Sequence, residues 1–288
     1  MEPTQDVRRR SWREVGFRLA LQACLAVGIA FLAILIVYVV VKGWPRLDSR
    51  LWTNYPSVRN PEAAGARSAI FGTLWVIAAT ALYCLPVGVM TAIYLEEYAN
   101  PNRWYNRLLE LNIQNLAAVP SIVYGILGLG IIARGLGFGF TVLTASLTLA
   151  LLVLPIVIIS AREATRAVPN SIRDGSYALG ATKWQTIRRQ VLPSAIPGMA
   201  TGAILALSRA IGEAAPLLLL GGLTFITFTP TGLQSPFTVM PIQIFNWTSQ
   251  SREEFEVLAS ALIVVVLVIL LVMNSAAILL RNKFQRRW

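Results

Sequence analysis

The sequence predicts an all-α membrane protein: six transmembrane helices, with a charged insert between the fourth and the fifth. Three observations carry this. Of 288 residues, 56% are hydrophobic and only 14% are charged, whereas soluble domains carry roughly 25% charged residues. Six apolar runs each approach the ~20 residues a helix needs to cross the hydrocarbon core. Lys and Arg gather in the segments flanking those runs, the distribution that orients membrane proteins.

Span 1 is Leu19 to Val41, an uncharged run preceded by Arg8, Arg9, Arg10, Arg13 and Arg18. It exceeds the apolar core of a signal peptide, about 7–15 residues, and no small-residue cleavage site follows. Span 2 is Ile70 to Leu95, closed by Glu96 and Glu97. Span 3 is Leu111 to Ala133, and span 4 is Phe140 to Ser160. Span 5 is Pro197 to Leu220, and span 6 is Val257 to Leu280. Membrane helices tolerate interior proline, so Pro120 in span 3 and Pro155 in span 4 are not expected to end them. Ser121 and Tyr124 are expected to satisfy backbone groups that Pro120 frees. The stretch 42–67 reads as a folded outer loop, and 221–256 as a surface or re-entrant connection. The chain divides into 1–67 (basic tail, first helix and outer loop), a transmembrane core over 68–280, and a basic tail over 281–288.

Orientation follows from basic residues. The N-terminal tail has five, the loop after span 2 two, the segment between spans 4 and 5 six and the C-terminal tail four. The alternate connections hold seven. Both termini and the 160–196 insert are therefore expected in the cytoplasm. The net charge of +11 serves this asymmetry and membrane lipid, so no nucleic-acid partner is expected. There is no His, which excludes imidazole catalysis and imidazole metal sites. Cys24 and Cys84 lie inside apolar runs, without metal or redox spacing, and read as packing residues.

The insert begins NSIRDGSYALGATKWQTIRRQVLPSAIPG at Asn170. Asn170 or Ser171 can N-cap a helix, on which Ile172, Ser176 and Leu179 share a face. Gly180 suits a turn or a close approach of two backbones. A second short helix places Trp184, Ile187 and Val191 together, with Lys183, Arg188 and Arg189 elsewhere around it. Pro193 and Pro197 are expected to break the chain as it re-enters the membrane. Two readings are open: a basic amphipathic segment on anionic lipid, or a helix pair seated in a groove on another protein.

These residues resemble the EAA loop of type I ABC-transporter permeases, the MetI-like fold. That pattern is Glu-Ala-Ala, three residues, Gly, nine residues, Ile, one residue, Leu-Pro. Gly180, Leu192 and Pro193 match it, Asp174 stands for Glu, and Gly175, Ser176 and Gln190 depart from it. The flanking ALGATKWQTI is similar to the phosphate-uptake branch. So are IYLEEYA at 93–99, VPSIVYG at 119–125, SRAIGEAAPLL at 208–218 and PIQIFNW at 241–247. The resemblance, to PstA-type permeases of phosphate ABC transporters, runs from about Ser68 to Leu280. It implies import of inorganic phosphate across a bacterial cell membrane. It also implies a second permease of PstC type, an ATPase dimer of PstB type and an extracytoplasmic phosphate-binding protein of PstS type. Asp174, Gly180, Leu192 and Pro193 would then couple to the ATPase, with Asp174 and Gly180 at the ends of the inserted helix. The loop 221–256 would be a docking surface for the binding protein. No GxxxxGK[ST] phosphate loop occurs in this chain. It is expected to be a non-catalytic subunit with no cofactor of its own, ATP-Mg being bound by the partner.

Arg209 is expected near the middle of span 5, with Glu213 one turn later on the same face. An Arg at the bilayer centre costs about 2.5–3.5 kcal/mol on insertion scales, so it should face protein or a water-filled path. Gly198, Gly202, Ala206, Arg209, Glu213 and Pro216 form one stripe whose small residues permit close helix packing. Three readings compete: a self-satisfied pair, a phosphate contact by the guanidinium fork, or pairing with a second permease that gates the path. The resemblance favours a translocation role for Arg209 and Glu213. Other functions keep their place as rivals: another oxyanion such as molybdate or sulfate, an ion-coupled secondary transporter, or a membrane enzyme. The last lacks any nucleophile–base set.

Overall fold

The structure, a computed structural model, describes residues 4–100, 102–221 and 226–284. Its helices in chain order begin with α1 (Thr4–Gly43), α2 (Ser49–Thr53), α3 (Arg67–Ile93) and α4 (Trp104–Ala117). Next come α5 (Ser121–Leu127), α6 (Val142–Arg166), α7 (Asn170–Ala178) and α8 (Lys183–Thr186). The last four are α9 (Leu192–Ile211), α10 (Ala215–Leu219), α11 (Met240–Thr248) and α12 (Glu253–Phe284). No strand occurs among the described residues. The basic N-terminal segment is helical from Thr4, and Arg281–Phe284 of the basic C-terminal segment continue α12. Residues 285–288 of that tail lie outside the described residues.

Five stretches are long and apolar enough to cross a membrane: Glu14–Arg46, Arg67–Tyr98, Val142–Arg166, Lys183–Ile211 and Glu253–Lys283. The expected third span is broken. Trp104–Ala117 and Ser121–Gly135 meet at 105°, so Pro120 does end a helix. It has no amide to donate, and it drives the residue before it out of the α region. The Leu116 carbonyl, which an amide at 120 would have met, accepts from the Tyr124 hydroxyl at 2.8 Å instead. Pro155 and Pro86, by contrast, lie inside unbroken helices.

α3 and α6 run parallel at the centre. The Thr80 hydroxyl donates to the Ser146 carbonyl at 3.2 Å, and a Cβ at Gly88 would come within 2.6 Å of Val157. α9 lies antiparallel to α6. A Cβ at Gly198 would meet Ala164 at 2.8 Å, and one at Gly202 would meet Ser160 at 2.4 Å. The small-residue stripe is therefore a backbone-close helix contact, as its spacing predicts. α12 packs on α9, α11 and α1. The apolar side chains of α1 are mostly exposed, as suits a hydrocarbon solvent. Lys42 at the end of α1 pairs with Glu256 at the start of α12, so those ends share a level, as alternating spans require.

The stretch 42–67 is folded, as expected. The Arg46 guanidinium donates to the carbonyls of Glu62 and Ala64, the latter at 2.7 Å. The 221–256 connection is only in part a surface loop: Phe228, Thr231, Gln234 and Pro236 are exposed, but the residues that follow pack inside. Phe237, Val239, Met240, Ile242 and Trp247 are buried, and Met240–Thr248 form a helix, α11, within the expected connection. The Met240 amide donates to Thr73 Oγ1 at 2.9 Å. The carbonyls of Leu233 and Ser235 accept the first amides of α6 at 2.7 and 3.0 Å, satisfying donors that a helix start leaves open. Residues 222–225 of this connection lie outside the described residues.

Candidate functional site

The insert is two helices of unequal kind. α7 starts at Asn170 with Pro169 in the capping position, so neither Asn170 nor Ser171 serves as N-cap. The Asn170 side chain instead accepts from the Arg173 guanidinium at 3.3 Å. Asp174 is exposed in the middle of α7, not at its end. Gly180 has φ +77° and nothing within 4 Å of a Cβ placed on it. It is there for the turn, not for close backbone approach. Thr182 and Gln185 close a reciprocal capping box that starts α8. The spacing T-x-x-Q was a legible signal for it.

From Lys183 to Ile211 the chain forms one span-length helix. The expected break at Pro193 and Pro197 does not occur. A proline conflicts with the carbonyl four residues earlier, here Arg189. That residue lies in a wider π-type turn, Ile187–Val191, which makes room for the ring. Ile187 and Val191 are fully buried, while Trp184 and Leu179 are exposed. Between α7 and the start of this long helix lies an open groove of about 510 Å³, lined by Ile172, Ser176, Leu179, Gly180, Arg189 and Gln190. Of the four expected coupling residues, Gly180 lines the groove. Asp174 and Pro193 are exposed and Leu192 is half-buried, outside its lining.

A charge network joins this insert to the membrane helices, and the sequence reading missed it. α3 ends in another π-type turn, Tyr94–Tyr98, which carries two consecutive carboxylates. Glu96 accepts from Arg162 at 2.9 Å and from Arg166 at 2.9 Å. Arg162 also reaches Glu110 on α4 at 2.7 Å. Glu97 accepts from Arg173 of α7 at 2.8 Å. Lys183 Nζ stands 5.0 Å from the Tyr98 ring centre, an attractive placement for a cation. A signal was present: spans 2 and 4 must end at the same membrane face, with Glu96 and Glu97 closing one and Arg162 and Arg166 the other.

Arg209 sits in the last turn of α9 rather than mid-span, because the helix stops at Ile211. The amides of Gly212 and Glu213 fold back to the carbonyls of Arg209 and Ala210 at 3.1 and 3.2 Å. Pro216 then starts a separate short helix, which packs so closely on α5 that a Cβ at Gly125 would meet Pro216 at 2.7 Å. Glu213 therefore lies past the helix end. Arg209 Nε and Glu213 Oε2 are 3.9 Å apart, with side-chain exposures of 57% and 18%. That is beyond hydrogen-bond distance. No other protein partner reaches the guanidinium among the described residues. It is thus a fixed positive charge with its donor fork open, on the helix that carries the insert at its other end. Among the described residues no group of acidic, Cys or His side chains is arranged to hold a metal.

Comparison with known proteins accounts for this architecture. The model of the family described as "Binding-protein-dependent transport system inner membrane component" matches residues 84–287. A Bacillus subtilis protein described as a probable ABC transporter permease, YqgI, is 32% identical over 79% of this chain and 80% of its own length. The phosphate transport system permease protein PstA of Mycobacterium leprae is 37% identical, over 75% of this chain and 71% of its own. A solved structure of the MetNI methionine ABC transporter in an inward-facing conformation superposes with a TM-score of 0.60. It covers 75% of this chain and 95% of that one at 16% identity, a likeness of fold. The chain is a multi-pass membrane protein and belongs to the family of binding-protein-dependent transport system inner membrane components.

Proposed function

We propose that this chain is a permease subunit of an ATP-driven importer of inorganic phosphate. It forms half of the translocation path and draws its energy from a separate ATPase. The observation that carries the reading is Arg209: an arginine in a spanning helix, its donors uncommitted, on the continuous helix that leads out of the charged insert. A planar guanidinium suits phosphate oxygens. The name of the M. leprae relative supports phosphate as cargo. Glu213 orients Arg209 or pairs across a subunit interface; its like charge disfavours direct contact with the anion.

The partners in this reading are a second permease of PstC type, a PstB-type ATPase dimer binding ATP-Mg, and a PstS-type binding protein outside the membrane. Asp174, Gly180, Leu192 and Pro193 belong to the surface presented to the ATPase. The bias of basic residues supports cytoplasmic termini in a bacterial cell membrane. The test is uptake of labelled phosphate into proteoliposomes holding the whole complex, with ATP and with competing molybdate and sulfate. ATP-dependent uptake that excess molybdate and sulfate leave unchanged supports the reading. Preferential competition by molybdate or sulfate replaces the cargo, and uptake without ATP removes the ABC mechanism.

A further inference from the structure

The insert is tied to the membrane core by two routes. One is covalent, through the three residues 167–169 that join α6 to α7 on one side and the helix Lys183–Ile211 on the other. The other is Arg173, whose guanidinium spends its donors in three directions. Nε and one terminal nitrogen meet Glu97 Oε1 at 3.2 and 2.8 Å. That same terminal nitrogen meets the Thr165 carbonyl at 3.0 Å. The other terminal nitrogen meets the Val168 carbonyl and Asn170 Oδ1. One side chain on α7 thus grips the end of α3, the end of α6 and its own helix start. The pair is withdrawn from water, with exposures of 14% for Arg173 and 6% for Glu97. Glu96, beside it on the same turn, fastens that turn to α6 through Arg162 and Arg166.

We infer that the Arg173–Glu97 pair is a positioning link that transmits displacement of the insert to α3, and through Glu96 to α6. The inference rests on the transport reading above. With the pair intact, α7 cannot shift without carrying the end of α3, because a withdrawn charge pair is costly to separate. Without it, α7 keeps its chain connections, its carbonyl contacts and the packing of Ile172 on the core, and loses its ion pair to the end of α3.

The test uses the complete transporter in proteoliposomes, measuring phosphate imported and ATP hydrolysed in the same sample. Glu97→Gln keeps an acceptor oxygen in place and removes the charge, while the carbonyls of Thr165 and Val168 still hold Arg173. The expected result is an intact complex that hydrolyses ATP, with phosphate moved per ATP reduced by roughly five-fold or more, the scale of site-to-site coupling. Arg173→Lys keeps the charge but not the fork, and should fall between wild type and Glu97→Gln. An unchanged ratio in Glu97→Gln overturns the inference. So does loss of the ATPase on purification, which would make the pair a structural clamp alone. Absence of ATP-driven phosphate uptake in the wild type would instead sink the transport reading, a result separable from either.

Discussion

Arg173 and Arg209 are both charged side chains on elements of one apolar bundle, and they are treated oppositely. Arg173 is enclosed, and its donors are met by a carboxylate, two carbonyls and an amide oxygen. Arg209 is more than half exposed and has one carboxylate at 3.9 Å. A saturated guanidinium is already committed to holding its surroundings. An unsaturated one, left open at a helix end, keeps its binding capacity for something that arrives. The contrast separates the end of the molecule that is tied together from the end that is left open.

The strongest way to break this comparison is Arg209→Gln. Uptake should be abolished, while subunit assembly and melting temperature stay at wild-type values. Normal transport by a well-expressed variant, or a collapse in stability, would place Arg209 with Arg173 as a holding residue. Next in size is Gly202→Val, which attacks the packing that fixes Arg209. Its side chain would enter the contact with Ser160 and should cost about 1–3 kcal/mol by overpacking, read as a lower melting temperature. Gly180→Ala attacks the insert instead. At φ +77° an L-residue is strained by about 1–2 kcal/mol, with no new clash. Co-purification of the ATPase should fall, while the isolated permease stays folded and melts only a few degrees lower. The smallest effect is expected for Glu213→Gln. A pair 3.9 Å apart whose arginine is more than half exposed contributes under about 1 kcal/mol, so the melting temperature should barely move. A large drop would mean that Arg209 is held after all.

Much of this was legible in the sequence because hydrophobic length and basic bias are properties of single segments. The third span is broken and the fifth shifted toward the insert, but spans 1, 2, 4 and 6, the folded 42–67 loop, the two-part insert and the Gly198–Gly202 contact follow from local pattern. Proline effects did not, since their outcome depends on neighbours. Pro120 ends a helix, and the freed Leu116 carbonyl is met by the Val119 amide and the Tyr124 hydroxyl. Pro193 ends nothing, because the turn before it is wide enough to take its ring. α11 escaped notice since PIQIFNW is short, opens on proline, and gains its stability from burial against α12 and α3. The Glu96 and Glu97 network needed two distant segments to be placed at one level before its pairs made sense. Arg209 was identified by residue type alone. Its position at a helix end, and its open donors, came only with three dimensions.

The unbroken helix Lys183–Ile211 has a mechanical consequence. It touches α6 most closely at Gly198 and Gly202, which makes that contact a fulcrum. At 1.5 Å rise per residue, Lys183 stands about 25 Å to one side of it and Arg209 about 14 Å to the other. A tilt that moves the insert by about 2 Å swings Arg209 by about 1 Å in the opposite sense, enough to make or lose a hydrogen bond. The prolines that were expected to cut this helix would have cut the lever.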